Sequence, residues 1–209
     1  MYSMFNNCSS LTSIDLSNID TSQVTNMFCM FSHCIHLVSL NIYNLNTSNV
    51  QNLGLMFSFC ESLTYIDLSN FDTSKVTHMN GMFSYCSSLI TIDLSKFNTT
   101  NVIYMENMFT YCIKLTSLNL SNFNTYNVQR IDGIFSDCYS LVSLDLSNFD
   151  TSQVTYMAEM FYNCKKLVSL NISNFNTSKV ISMSQMFSNC NSLKELDIAI
   201  FNTSNLKNL

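Results

Sequence analysis

The residues best suited to chemistry in this chain are thiols, and they recur on a strict count. Cys8, Cys34, Cys60, Cys86, Cys112, Cys138, Cys164 and Cys190 stand 26 residues apart without one insertion or deletion. A column of thiols raises disulfide pairing and metal ligation. A disulfide between repeats would break the equivalence of the units, and the unbroken spacing gives no sign of that. Cysteine is among the most buried residue types, so the column reads as a ladder of small apolar residues in a core. Cys29 lies outside the ladder, where other repeats carry Asn107, Glu159 or Gln185. It reads as an exposed thiol and the one expected to react. Unpaired thiols fit a reducing or anaerobic setting. Met27-x-x-Met30 and its equivalents offer soft ligands of the kind Cu(I) takes. A methionine stripe at helical spacing is, however, ordinary core filling. His33-Cys34-Ile35-His36 has zinc-ligand types, but it occurs in one repeat and its cysteine belongs to the ladder. No metal and no cofactor are expected.

A second column is acidic. Seven residues after each cysteine stand Asp15, Asn41, Asp67, Asp93, Asn119, Asp145, Asn171 and Asp197. Asp67 and Asp93 are neighbours in a stack of repeats, and like charges side by side on a sheet are unfavourable. Two readings stand together. The column forms an acidic, hydroxyl-rich groove for a basic partner or Ca²⁺, carried by Asp15, Asp67, Asp93, Asp145 and Asp197 with Tyr65. Or it is a solvated hydrogen-bonding ladder that serves the stack. A third column, Thr21, Thr47, Thr73, Thr99, Thr125, Thr151, Thr177 and Thr203, has no exceptions. Regular threonine rows can order water, but repeated helix capping explains them without a ligand. Sequons such as Asn46-Thr47-Ser48 arise from the repeat itself.

Aromatic residues concentrate in the middle repeats. Phe59, His78, Tyr85, Tyr104 and Tyr111 fall on one flank of the expected helices. That flank either packs between neighbouring helices or forms a sticky convex patch. Nothing supports catalysis: no histidine is placed with a nucleophile, and no glycine-rich phosphate loop is present. The chain is not expected to be an enzyme.

These residues need a scaffold, and the period supplies it. Self-similarity at a fixed 26-residue spacing is the signature of a solenoid. Three residues after each cysteine comes a leucine (Leu11, Leu37, Leu63, Leu89, Leu115, Leu141, Leu167, Leu193), and aliphatics follow at the sixth and eighth, as in Leu144-Asp145-Leu146. That is a short strand with one buried face. A Ser-Asn-Phe-Asp-Thr-Ser turn follows, pegged to the core by Phe71, Phe97, Phe123, Phe149, Phe175 or Phe201. Then Val154, Met157, Met160, Phe161 and Cys164 recur at helical spacing, predicting about three helical turns capped by Thr151 or Ser152. Gly54, Gly81 and Gly133 fall inside that segment and weaken a helix by about 1 kcal/mol each, so an irregular or partly 3₁₀ helix is expected. Strands repeat every ~4.8 Å whereas helices pack ~8–10 Å apart. The expected fold is therefore an α/β solenoid of leucine-rich-repeat type. It is a horseshoe with parallel strands on the concave face and short helices on the convex face, in one domain spanning residues 1–209. Both ends fall mid-repeat without an obvious cap, and exposed sheet edges can join copies end to end.

Composition agrees. The apolar share is 47%, enough to fill a continuous core, while charged residues are only 11%, so Ser, Thr and Asn build the surface. A net charge of −5 with one adjacent basic pair, Lys165-Lys166, excludes the basic stripe that nucleic acid requires. No apolar run approaches the ~20 residues of a membrane span.

The unit Met-Phe-x-x-Cys-x-x-Leu-x-x-Leu-Asp-Leu-Ser-Asn-Phe-Asp-Thr-Ser-x-Val-x-x-Met resembles the BspA-like leucine-rich repeats of bacterial and protist surface proteins, above all those of mycoplasma and spirochaete lipoproteins. The resemblance covers the whole chain. It implies an interaction scaffold exposed on the cell surface or secreted, mediating adhesion or binding of a protein or glycan partner. The chain departs from that pattern in two ways. It shows no signal sequence, which leaves a structural or cytoplasmic array, or a recognition module of a larger protein, as the alternative. Phenylalanine (Phe71, Phe97 and equivalents) also stands where the asparagine after the strand is usual.

Overall fold

The computed structural model describes residues 1–208 of the chain. Repeats are numbered 1 to 8 by their ladder cysteines. Four short strands form: β1 (Ser13–Asp15), β2 (Ser39–Asn41), β3 (Ser143–Asp145) and β4 (Ser169–Asn171). β1 pairs with β2 and β3 with β4, both parallel and offset by one repeat: Ile14 meets Leu40, and Leu144 meets Leu170. The expected parallel direction and position are therefore found, in half of the eight expected strands. Between repeats 3 and 6 this wall is looser. Val38 and Val168 donate to the preceding repeat at 2.9 and 2.8 Å, whereas Ile90, Thr116 and Val142 do so only at 3.4 Å. Each formed pair sets an Asp beside an Asn, Asp15 with Asn41 and Asp145 with Asn171. The open stretch sets Asp67 beside Asp93, whose charges repel. The Asn41–Asp67, Asp93–Asn119, Asn119–Asp145 and Asn171–Asp197 steps are open as well, and charge does not explain them.

No helix forms among the described residues, which corrects the expected helical wall. The segment from Met27 to Cys34 shows why. Phe31, Cys34, Met27 and Met30 all point inward, as a helix face would place them. Yet Cys29 and His33 have φ of 55° and 60°, the left-handed region. The N–H groups then split into two sets. Those of Met30, Ser32 and Cys34 close tight turns onto the carbonyls of Met27, Cys29 and Phe31. Those of Met27, Cys29, Phe31 and His33 donate across to Asn52, Gly54, Met56 and Ser58 of the next repeat at 2.8–3.0 Å. The same alternation recurs in repeats 1 and 3 to 6. Left-handed geometry costs L-residues about 1–2 kcal/mol each. A buried bond per position, worth about 1 kcal/mol net and costly to leave unmade, offsets it.

Both walls are thus joined by direct backbone bonds. A further row of parallel bridges runs through Asn26, Asn52, His78, Tyr104, Arg130, Tyr156, Ser182 and Asn208. The disparity between helix and strand spacing, from which the horseshoe bend was expected, has no counterpart here. Between the walls lies one continuous core. Phe31, Phe57, Phe83, Phe109, Phe135 and Phe161 are fully buried and stack on one another at 5.7–6.0 Å between ring centroids. The ladder cysteines line the same core, and from Cys34 to Cys190 each thiol donates to the carbonyl of a Phe in the preceding repeat, as Cys86 does to Phe57 at 3.1 Å. Burial pushes the Cys86 and Cys138 thiols up to about 12.

The threonine column caps nothing. Thr73 is buried; its Oγ1 donates to the carbonyl of Asn98 at 2.9 Å and accepts from the N–H of Asn98 at 2.8 Å. Thr47 and Thr151 staple neighbouring repeats in the same way. From Thr21 to Thr177 the hydroxyls of the column are buried and bonded to the next repeat, so they present no row to water; Thr203 alone is exposed.

Candidate functional site

The strand face carries the acidic column, and local turn chemistry fixes it. In each case a side-chain oxygen accepts from the backbone N–H two residues on: Asp15 from Ser17 at 2.9 Å, Asp67 from Ser69 at 3.0 Å, Asp93 from Ser95 at 2.9 Å, Asp145 from Ser147 at 3.0 Å and Asp197 from Ala199 at 2.9 Å. Asn119 and Asn171 make the same bond. The column therefore has a structural role that Asp and Asn fill equally, and charge is additional to it. The Ser17 backbone N–H holds Asp15 below the usual carboxylate range, and Ser95 and Ser147 do the same for Asp93 and Asp145. Asp67 is lowered by the Ser69 side chain and N–H against an opposing push from Asp93. All four stay ionised at neutral pH. Among the described residues the one ion pair is Arg130–Asp132, away from this column, so none of the five column carboxylates is neutralised by a salt bridge.

Around Asp67 and Asp93 the face is also apolar. Tyr65 is 60% exposed, as its assignment to this surface requires. Tyr43, 54% exposed, was missed from sequence because it replaces a turn serine in repeat 2. Val38, Ile90, Val142 and Val168, each four residues after a ladder cysteine, are exposed too. That position is otherwise held by Thr12, Thr64, Thr116 and Lys194, and this was the available signal. A groove on the strand face lies further along, in repeats 5 and 6. Ser117, Asn119, Ser121, Ser143, Asp145 and Ser147 line it.

The aromatic flank divides into two columns instead of one. Phe59, Tyr85 and Tyr111 occupy the second left-handed position of each turn wall and continue from His33 as a stack, at 4.3, 4.2 and 4.8 Å between centroids. Tyr139 closes the stack edge-on, with the Lys165 ammonium 4.4 Å from its ring. His78 and Tyr104 sit on the bridge row, tilted at 4.8 Å. All five are half-buried. Their ring faces are spent on each other, as packing between neighbouring repeats requires. Beside Tyr104 lies a group that sequence reasoning missed. Arg130 grips Asp132 through two bonds of 3.0 and 2.9 Å and lies 4.9 Å from the Tyr156 ring. Glu106 Oε2 is buried there without a hydrogen-bond partner, and burial pushes that carboxyl up. No cluster of three or more His, Cys, Asp or Glu able to hold a metal occurs among the described residues. Cys29 is half-buried and not freely exposed as expected, with its thiol pushed up by burial; Cys8 and Cys190 are half-buried as well.

The family model described as "Mycoplasma protein of unknown function, DUF285" matches residues 1–112, 61–167 and 142–209, which together span the chain. The chain belongs to the DUF285 family. Its repeats are of the BspA-like leucine-rich type that the motif resembles. No curated protein matches it. Solved structures similar to it include a leucine-rich repeat protein of T. pallidum, 21% identical over 93% of this chain and 70% of that one, with a TM-score of 0.45. The Toll–Spatzle complex of Drosophila matches at 16% identity over 92% of this chain and 30% of that one, TM-score 0.47. A leucine rich cell surface protein of Faecalibacterium prausnitzii matches at 19% over 92% and 74%, TM-score 0.26. No helix of the described residues is long and apolar enough to cross a membrane.

Proposed function

We propose that this chain is a non-enzymatic interaction scaffold of a surface-exposed or secreted leucine-rich-repeat protein, and that its strand face binds a basic segment of a protein partner. The observation that carries this reading is the pair Asp67 and Asp93. They are ionised, adjacent and without a salt bridge, and exposed Tyr65 and Ile90 flank them. A Lys- or Arg-rich segment relieves the repulsion between the two carboxylates and gains apolar contact from the same patch. The turn bonds need only an oxygen at these positions, as Asn119 and Asn171 demonstrate, so the charge is free to serve a partner. Adhesion through such contacts suits a rigid array that presents the same face repeat after repeat.

The test is a titration of a Lys/Arg-rich peptide, with Ca²⁺ in a parallel arm, against the chain and its Asp67→Asn, Asp93→Asn form. Peptide binding should weaken as salt rises, because exposed charges are screened beyond ~8 Å at physiological ionic strength. It should fall at least several-fold in the double variant, whose stability rises slightly. Unchanged peptide affinity in the variant removes the reading, and binding of Ca²⁺ alone replaces the peptide with a cation.

A further inference from the structure

A third surface runs along the stack, between the threonine column and the bridge row. Its backbone is a continuous ladder. Gln51, Thr77, Ile103, Gln129, Thr155 and Ile181 each donate an N–H to the carbonyl 26 residues earlier, at 2.8–3.0 Å. None of these steps opens to the 3.4 Å that loosens the strand wall, so the side chains here stand on a fixed frame. Val50, Val76, Val102 and Val128 are buried, and residues flanking them, from Gln51 to Gln129, line an open cleft of about 510 Å³. That is the size of a small-ligand site, and the three ladder steps it crosses give a length of ~14 Å.

The lining is polar and almost uncharged. No carboxylate reaches it, and its one cation, Lys75, is held by the Asn49 side-chain oxygen at 2.7 Å. Asn101 and Asn127 spend their Nδ2 groups on the carbonyls of Ser74 and Thr100, at 2.7 and 2.8 Å. Those bonds serve the stack, and they also fix the two amides so that each Oδ1 is left as an acceptor; among the described residues neither accepts a bond. The side chains of Gln51 and Gln129, both exposed, make no hydrogen bond to any described residue, so their amides offer donors and acceptors together. Ile103 adds an apolar contact between them. Tyr126, joined to Asn127 in the chain, is 57% exposed where the other repeats carry Ser or Thr, and brings a ring with an apolar body and a polar tip.

We propose that this cleft binds a neutral linear oligosaccharide, laid along the stack from Gln51 to Gln129. A sugar hydroxyl donates one bond and accepts others, so it matches amides that carry both functions. A peptide's charged groups find no carboxylate here and one ammonium already occupied. The fixed acceptors of Asn101 and Asn127 cost no ordering on binding, and the two glutamines close on the ligand from either end. The site is independent of the acidic strand face and does not require it.

The test is an array of neutral linear oligosaccharides (glucans, chitin oligomers and mannans) beside heparin fragments, followed by titration calorimetry with the strongest neutral binder. That binder should keep its affinity as salt rises, because no ion pair is involved. Gln51→Ala with Gln129→Ala should weaken it roughly tenfold, two neutral hydrogen bonds being lost, with circular dichroism confirming the fold. Gln23→Ala, on the same face outside the cleft, should bind as the parent chain does. Absence of binding to every neutral oligosaccharide at millimolar concentration overturns the proposal. So does unchanged affinity in the double variant, or binding confined to heparin fragments and lost with salt, which would make Lys75 a simple charge site.

Discussion

Replacing Glu159 with glycine separates the left-handed turn wall from a helix by sign. Glu159 is exposed, has φ of 58°, and its N–H donates to the Ser184 carbonyl. An L-residue there costs about 1–2 kcal/mol, which glycine avoids. Glycine loses more backbone freedom on folding, about 0.5–1 kcal/mol relative to alanine. The balance makes Glu159→Gly more stable by roughly 0.5–1 kcal/mol. In a helix interior the same change would destabilise by about 1 kcal/mol. Gly133→Ala is the reciprocal case. Gly133 has φ of 61°, and an added Cβ would press against the Asn107 side-chain oxygen. The expected loss is about 0.5–1 kcal/mol from the backbone plus the contact with Asn107, where a helix would gain about 1 kcal/mol. Urea unfolding read at the midpoint, with the slope unchanged, measures both. Destabilisation by Glu159→Gly together with stabilisation by Gly133→Ala would refute the alternating turn wall and restore the helix.

Three further outcomes follow from buried groups. Thr73→Val removes both part-buried bonds to the Asn98 backbone, costing about 2–3 kcal/mol, whereas Thr73→Ser keeps the bonds and costs about 1 kcal/mol; equal stability of the two in chemical denaturation would show that the staple is idle. Native-state thiol labelling at pH 8 should modify at most Cys8, Cys29 and Cys190, because the other six are buried; rapid reaction of all nine would show that the ladder is not core. Glu106→Gln should raise the melting temperature at pH 7. The folded carboxyl is pushed above its unfolded value, so its contribution is present below about pH 4.5 and lost as pH rises through the folded pKa. The two melting curves should converge in acid, and a difference that does not depend on pH would discount the buried charge.

Much of this was legible from the period alone. The leucine, cysteine and phenylalanine columns announced the core, because inward positions repeat whatever the backbone between them does. The helix was not recoverable from the same signal. Apolar residues at Val154, Met157, Met160, Phe161 and Cys164 face inward on a helix, and equally on a chain that turns every few residues. What distinguishes the two is backbone sign, and the visible trace of that was Gly81 and Gly133 in one left-handed column shared with Cys29, Asn107, Glu159 and Gln185. Gly54 obscured it: it lies one position early, and Leu55 takes the left-handed conformation instead. The acidic column follows from the strand's alternation, yet its turn bonds depend on geometry that residue types do not encode. Tyr43 escaped because reasoning from the repeat discounts the residues that depart from it.

The binding face itself is tested most directly by a residue-resolved footprint. Amide NMR spectra of the chain, recorded during titration with a Lys/Arg-rich peptide, report which surface responds. The account predicts shifts centred on Tyr65, Asp67, Ile90 and Asp93, extending to Tyr43, and abolished by Asp67→Asn, Asp93→Asn. Shifts centred instead on the aromatic stack from His33 to Tyr111, or none at saturating peptide, would contradict it.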